Sequence, residues 1–171
     1  MNGPAVKLAE LLRAARPRLT LAVAESMTGG RVQALVTAVS GASEYFAGGV
    51  TAYAREQKVA LLGVDDAHAA AVNCVSERVV GEMAIGVCRL FKAGVGVATT
   101  GYAEPAPAGG VAVPFVWLAV ARRAGGELAV VARRRVEFPG ATRAGAQDRA
   151  AAAAVELLVE SLLGRDDVAA R

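Results

Sequence analysis

The stretch Leu21-Ala22-Val23-Ala24-Glu25-Ser26-Met27-Thr28-Gly29-Gly30, LAVAESMTGG, decides the fold. Its short apolar run of small and β-branched residues predicts a buried strand. The run stops at a polar turn holding a carboxylate, two hydroxyls and two adjacent glycines. Arg31 to Val39 then carries apolar residues at helical spacing. Such a strand-to-helix junction aims backbone N–H groups and the positive end of a helix dipole at an anion. In an α/β sheet it also lies at the carboxyl edge of the strands, where ligands bind. The plainer alternative is an ordinary βα turn in which Ser26 or Thr28 only caps the helix.

Working outward, Ala5 to Ala15 has Val6, Leu8, Leu11 and Leu12 at helical spacing and stops before Pro17. Glu44-Tyr45-Phe46 reads as a helical turn and Gly48 to Tyr53 as a second strand. Glu56 to Leu62 predicts a short helix ended by Gly63, and Asp65-Asp66 opens another with a carboxylate cap. Ser76 is placed to cap a longer helix carrying Val79, Val80, Met83, Val87 and Leu90. Val95 to Thr99 reads as a third strand, followed by a Pro- and Gly-containing loop over 101–113. Phe115 to Ala121 and Leu128 to Phe138 read as a hairpin turning at Arg123-Ala124-Gly125-Gly126. Ala146 to Leu163 predicts a long alanine-rich helix.

The order α-β-α-β-α-α-β-β-β-α, with helices between the early strands, predicts a three-layer α/β/α sandwich over a mixed, mostly parallel sheet. One domain is expected over 1–164, with a charged tail over 165–171 that frays. Val23 to Gly29 and Val97 to Gly101 are both strands running out into hydroxyls and glycine. If those strands are parallel neighbours, their loops open onto one edge and line one cleft.

At 171 residues the chain is long enough to bury a substantial core. No apolar run reaches the roughly 18 residues that span a bilayer, and charges come too early at the N-terminus for a signal peptide. A cytoplasmic protein without a membrane partner is expected. Cys74 and Cys88 have no CxxC spacing and read as buried free thiols. One histidine, His68, argues against a zinc site or a histidine-based triad and is placed on a solvated helix face. Arg122-Arg123 and Arg133-Arg134-Arg135 sit on strands, where successive side chains point to opposite faces. With 5% aromatic residues, no nucleic-acid partner is expected.

Without a usable histidine, hydrolysis at Ser26 needs another base. Lys58 is the candidate, because a partly desolvated lysine loses pKa and can take a proton from a serine hydroxyl. Tyr53, five residues earlier, can relay that proton or donate to a developing oxyanion. The competing reading makes Lys58 a surface lysine and Tyr53 a strand core residue. Glu25 reads either as an ionised partner or orienter of Lys58, or as a buried carboxylate capping a neighbouring helix.

Ala24 to Gly30, AESMTGG, resembles the AES-x-TGG signature of the CinA C-terminal domain family. Gly49 to Lys58, GVTAYAREQK, resembles a second family block in which a tyrosine precedes a lysine by five residues. Val75-Ser76-Glu77, Thr99-Thr100-Gly101 and Phe138-Pro139-Gly140 resemble three further blocks, in order and over nearly the whole chain. The resemblance implies a three-layer α/β/α domain. It also implies hydrolysis of the amide of nicotinamide mononucleotide to nicotinic acid mononucleotide and ammonia, with neither metal nor cofactor. Residue by residue it implies Ser26 as nucleophile, Lys58 as base and Tyr53 as relay or oxyanion donor. Glu25, Thr28, Gly29, Gly30, Thr100 and Gly101 are then placed around a small-molecule nucleotide.

The chain departs from the family in one loop. Glu104 stands where a glycine is expected and Val113 where a lysine is. A carboxylate near a phosphate is unfavourable by charge. The alternative function is therefore a CinA-like nucleotide-binding or partner-binding module with weak or absent turnover. A homo-oligomer, a dimer first, is expected. A shallow cleft on a small domain is often completed across a symmetric interface. Phe115, Trp117 and Phe138 lie near an open apolar sheet edge, and the family resemblance suggests it too.

Overall fold

Leu21–Glu25 forms strand β1, buried along its whole length. In this computed structural model, which describes residues 3–164, the elements follow the expected order. They are α1 (Pro4–Ala14), β1, α2 (Arg31–Thr37), β2 (Phe46–Thr51), α3 (Arg55–Leu62), α4 (Asp66–Ala71) and α5 (Glu77–Leu90). Then come β3 (Val95–Tyr102), β4 (Phe115–Ala124), β5 (Glu127–Glu137) and α6 (Arg143–Leu162). The tail over 165–171 lies outside the described residues.

One five-stranded sheet runs in the order β2-β1-β3-β4-β5. β1 pairs in parallel with β2 and with β3, while β3–β4 and β4–β5 are antiparallel. The sheet is mixed as expected, yet its pairings divide evenly instead of being mostly parallel. Parallel neighbours need a crossover, usually a helix, and neither the 103–114 loop nor the turn at Gly125-Gly126 provides one.

Helices cover both faces. Val23, Val97 and Leu118 pack with Leu8 and Leu12 of α1, Val32 and Val36 of α2, and Ala150, Val155 and Leu158 of α6. On the other face Ala24, Ala98 and Ala119 pack with Leu62 of α3, Ala69 of α4, and Val80, Met83 and Val87 of α5. Strands β1 and β3, covered on both sides, read as continuous apolar runs, whereas β5 alternates exposed and half-buried residues.

Local chemistry sets the helix ends. The Val79 N–H donates to Ser76 Oγ at 3.1 Å, so Ser76 caps α5. His68 N–H donates to Asp65 Oδ1 at 2.7 Å at the start of α4, and α3 stops at Gly63 with φ 67°. Helix α5 touches the last turn of α3 through Gly86, where an added Cβ would sit 2.0 Å from the Leu62 carbonyl oxygen. That backbone contact seats α3, the helix that carries Lys58.

The outer strand differs from expectation. Phe115 and Trp117 belong to β4, which β5 covers, and Phe138 is buried in the core that α6 closes. The edge itself is β5. Its register shifts opposite Val120/Ala121, which leaves Val131 unpaired as a bulge. Arg133 reaches Glu77 of α5 and Arg134 reaches Glu160 of α6, on opposite faces of the strand. A bulged, arginine-bearing edge resists pairing with another chain, so it does not supply the open apolar seam expected there.

Candidate active site

Parallel pairing of β1 with β3 brings the two hydroxyl-and-glycine ends together, as their echo in the sequence predicts. They open into a cleft of about 240 Å³ lined by Ser26 and Met27 after β1, and by Thr100, Gly101 and Tyr102 of β3. Tyr53, Arg55 and Lys58 close it from the start of α3, and Asn73, Cys74 and Val75 from the turn before α5.

Lys58 is 1% exposed. Its Nζ donates to the Tyr53 carbonyl at 2.7 Å, and no carboxylate of the described residues pairs with it. Burial disfavours the ammonium and holds the Lys58 pKa below its ordinary value of 10.5. A lysine so placed is neutral over a wider pH range and can accept a proton. Ser26 is buried as well, its N–H held by Thr99 Oγ1 at 3.4 Å. The next residue, Met27, lines the cleft, and its N–H donates to no atom of the described residues. A nucleophile candidate, a base candidate and a free backbone donor thus share one small space.

Tyr53 is not a core residue. It stands 58% exposed between β2 and α3, and its hydroxyl accepts from Arg143 Nη2 at 2.9 Å. The same guanidinium donates through Nη1 to Glu104 at 2.6 Å. Arg55 pairs with Asp66 at 3.3 Å on the other side of the rim.

The glycine-bearing turn is organised differently from the anion site expected of it. Glu25 Oε2 accepts from Gly30 N–H at 3.0 Å and Val32 N–H at 3.1 Å. Glu25 Oε1 accepts from the Gln33 N–H at 3.0 Å and from Gln33 Nε2 at 3.1 Å. Arg31 N–H donates to Thr28 O and Ala34 N–H to Gly30 O. Every N–H from Gly30 to Ala34 is thereby satisfied within the chain, and none remains for a ligand. Glu25 is the internal cap of α2, neither a partner of Lys58 nor a wall of the cleft. Thr28 is also turned inward, its hydroxyl 2.7 Å from that of Thr99. Gly29 and Gly30, with φ of 60° and 97°, shape this turn outside the cleft lining. Thr100 and Gly101 do line the cleft, with the Thr100 hydroxyl donated to Cys74 O at 2.8 Å. At Gly101 an added Cβ would meet Phe115 O at 2.2 Å, so the glycine permits close packing against β4.

The family model for the CinA C-terminal domain matches residues 4–162, nearly the whole chain. The chain belongs to the CinA C-terminal domain family. A CinA-like protein of Flavobacterium psychrophilum is 37% identical over 147 residues, covering 85% of this chain and 34% of that protein. A CinA-like protein of Picosynechococcus is 50% identical over 86 residues, covering 50% of this chain and 20% of that one. The chain thus spans about a third or less of the length of these relatives. Among solved structures, a competence or damage-inducible protein from Enterobacter asburiae superposes with a TM-score of 0.83 at 28% identity, covering 95% and 99% of the two chains. A CinA superfamily protein from Klebsiella pneumoniae gives a TM-score of 0.81 at 28% identity, covering 94% and 96%.

Six cleft residues of this CinA-family domain were not anticipated in the sequence: Met27, Arg55, Asn73, Cys74, Val75 and Tyr102. Asn73 and Cys74 hold left-handed backbone, φ 48° and 60°, and Asn73 Nδ2 donates to Tyr102 Oη at 3.0 Å. An asparagine just before a helix cap is the one local signal for such a turn. Cys74 is half-buried in the cleft wall, and only Cys88 is the fully buried thiol expected of both. His68 is half-buried too, its Nε2 3.0 Å from Ser76 Oγ. Arg143 sits in the first turn of α6, where a cation opposes the helix dipole, three residues before the helix start expected at Ala146.

Proposed function

We propose that this domain is an amidohydrolase that converts the carboxamide of nicotinamide mononucleotide to the carboxylate with release of ammonia. The observation that carries the proposal is the buried, pKa-lowered Lys58 opening into the same cleft as Ser26. Neutral Lys58 Nζ takes the Ser26 hydroxyl proton while Oγ bonds to the amide carbon. The carbonyl electron pair moves to oxygen, where the Met27 N–H and the Tyr53 hydroxyl are the available donors. Collapse breaks the C–N bond, and the Lys58 ammonium returns its proton to the departing nitrogen, giving ammonia and an acyl ester on Ser26. Water, deprotonated by Lys58, then attacks the ester carbon. The C–Oγ bond breaks, and the Lys58 ammonium returns the proton to Ser26 Oγ, leaving the carboxylate product.

A volume of about 240 Å³ lies below the roughly 300–1,000 Å³ of ligand pockets, so the cleft takes the ring carboxamide and leaves ribose and phosphate along the rim. Incubation of the purified protein with nicotinamide mononucleotide should release ammonia, with and without EDTA. Ser26→Ala should lower the rate by at least about a thousandfold. Turnover unchanged in Ser26→Ala, or abolished by EDTA, defeats the mechanism. The Glu104 carboxylate held on Arg143 at the rim favours a second reading, a nucleotide-binding or partner-binding module with weak or absent turnover; calorimetric binding of the mononucleotide with no ammonia released selects it.

A further inference from the structure

At the rim of the cleft, Arg143 opens α6, whose first turn has no acidic residue. Guanidinium and helix dipole together favour an anion here. An anion is already there. Glu104, from the loop between β3 and β4, holds Arg143 Nη1 at 2.6 Å, and Arg143 Nη2 holds the hydroxyl of the cleft residue Tyr53 at 2.9 Å. Glu104 and Arg143 side chains are 60% and 47% exposed, so the pair is solvated and opens at little cost. The other rim cation, Arg55, is shared with Asp66 and Glu56.

We infer that Glu104 is a specificity-determining residue: an internal counter-anion on Arg143 that a phosphate-bearing ligand must displace, and that lowers the cleft's preference for a phosphorylated amide over its nucleoside. A phosphomonoester dianion approaching Arg143 meets a neutral ion pair instead of a free guanidinium. The nucleoside carries no such group and does not contest the pair. The inference deepens the amide-hydrolysis reading and rests on it for the choice of amides, but not for the response to phosphate itself.

The test uses the full chain and two readouts. An NMR titration with inorganic phosphate at low ionic strength compares wild type, Glu104→Gln and the double variant Glu104→Gln/Arg143→Gln. Removing one charge beside a dianion at a solvated rim should tighten phosphate binding roughly fivefold in Glu104→Gln. The second substitution should erase the gain, and added salt should shrink it. In kinetics, the ratio of kcat/KM for nicotinamide mononucleotide to that for nicotinamide riboside should rise by a similar factor in Glu104→Gln. Equal phosphate affinity in wild type and Glu104→Gln, including no detectable binding to either, overturns the inference. So does a gain that survives loss of Arg143. If neither amide is hydrolysed by any of the proteins, the amidohydrolase reading fails while the phosphate titration still decides the role of Glu104.

Discussion

Replacing Lys58 with methionine should make the protein more stable and inactive at once. The side chain is buried to 1% exposure, and its ammonium has a single protein hydrogen bond, to the Tyr53 carbonyl. Exchanging a buried ionic group for an apolar one of similar volume is worth up to about 1–4 kcal/mol. Losing the hydrogen bond to Tyr53 O costs about 1 kcal/mol. The balance is a gain of up to about 3 kcal/mol near neutral pH, or up to about 12 °C in Tm for a chain of this size. Because burial lowers the folded pKa below 10.5, the unfolded chain binds more protons wherever pH lies between the folded value and 10.5. Wild-type stability therefore rises with pH across that window, relative to a chain without the lysine. The advantage of Lys58→Met is full below the folded pKa and gone above 10.5. Thermal unfolding of both proteins over a pH series measures it, alongside ammonia release. A methionine variant less stable than wild type at neutral pH, an advantage that ignores pH through the window, or retained turnover would each refute the reasoning.

Two further outcomes follow from groups near the site. Glu25→Gln leaves the start of α2 with one acceptor oxygen for three backbone donors and sets an amide NH₂ against them. It should cost about 2–4 kcal/mol in urea unfolding. A change under about 0.5 kcal/mol would show that the cap is dispensable. Burial pushes the Cys88 thiol up to about 11, so in the native protein it should resist a thiol reagent at mildly alkaline pH. The half-buried Cys74 should be the one labelled, with saturating nicotinamide mononucleotide slowing it. Mass mapping of the modified cysteine decides between them, and labelling of Cys88 first contradicts the burial argument.

What was legible in the sequence follows the range of the interactions. Helix and strand order was legible, because periodicity and caps such as Ser76, Asp65 and Gly63 act within one turn. Extents erred where a distant partner decides. Strand β3 continues to Tyr102, three residues past the expected end at Thr99, because β4 pairs with it as far as Phe115. Helix α6 starts at Arg143 instead of Ala146 because Thr142 caps it, accepting from Gly145 N–H at 3.2 Å. The cleft was half legible: Ser26, Tyr53, Lys58, Thr100 and Gly101 line it as a set. Its rim was not, since Arg143 reaches Tyr53 across 90 residues and Glu104 across 39, between segments that share no pattern.

The internal capping of α2 by Glu25 changes what the AES-x-TGG signature certifies. Of AESMTGG, the glutamate, the threonine and both glycines are committed to building the turn, and Ser26 and Met27 alone face the cleft. A descendant that lost its chemistry would still need nearly all of those letters in order to fold. Matching the signature therefore counts scaffolds, not enzymes. Sorting active members from silent ones calls for Ser26 and Lys58 together, two positions the turn itself could do without.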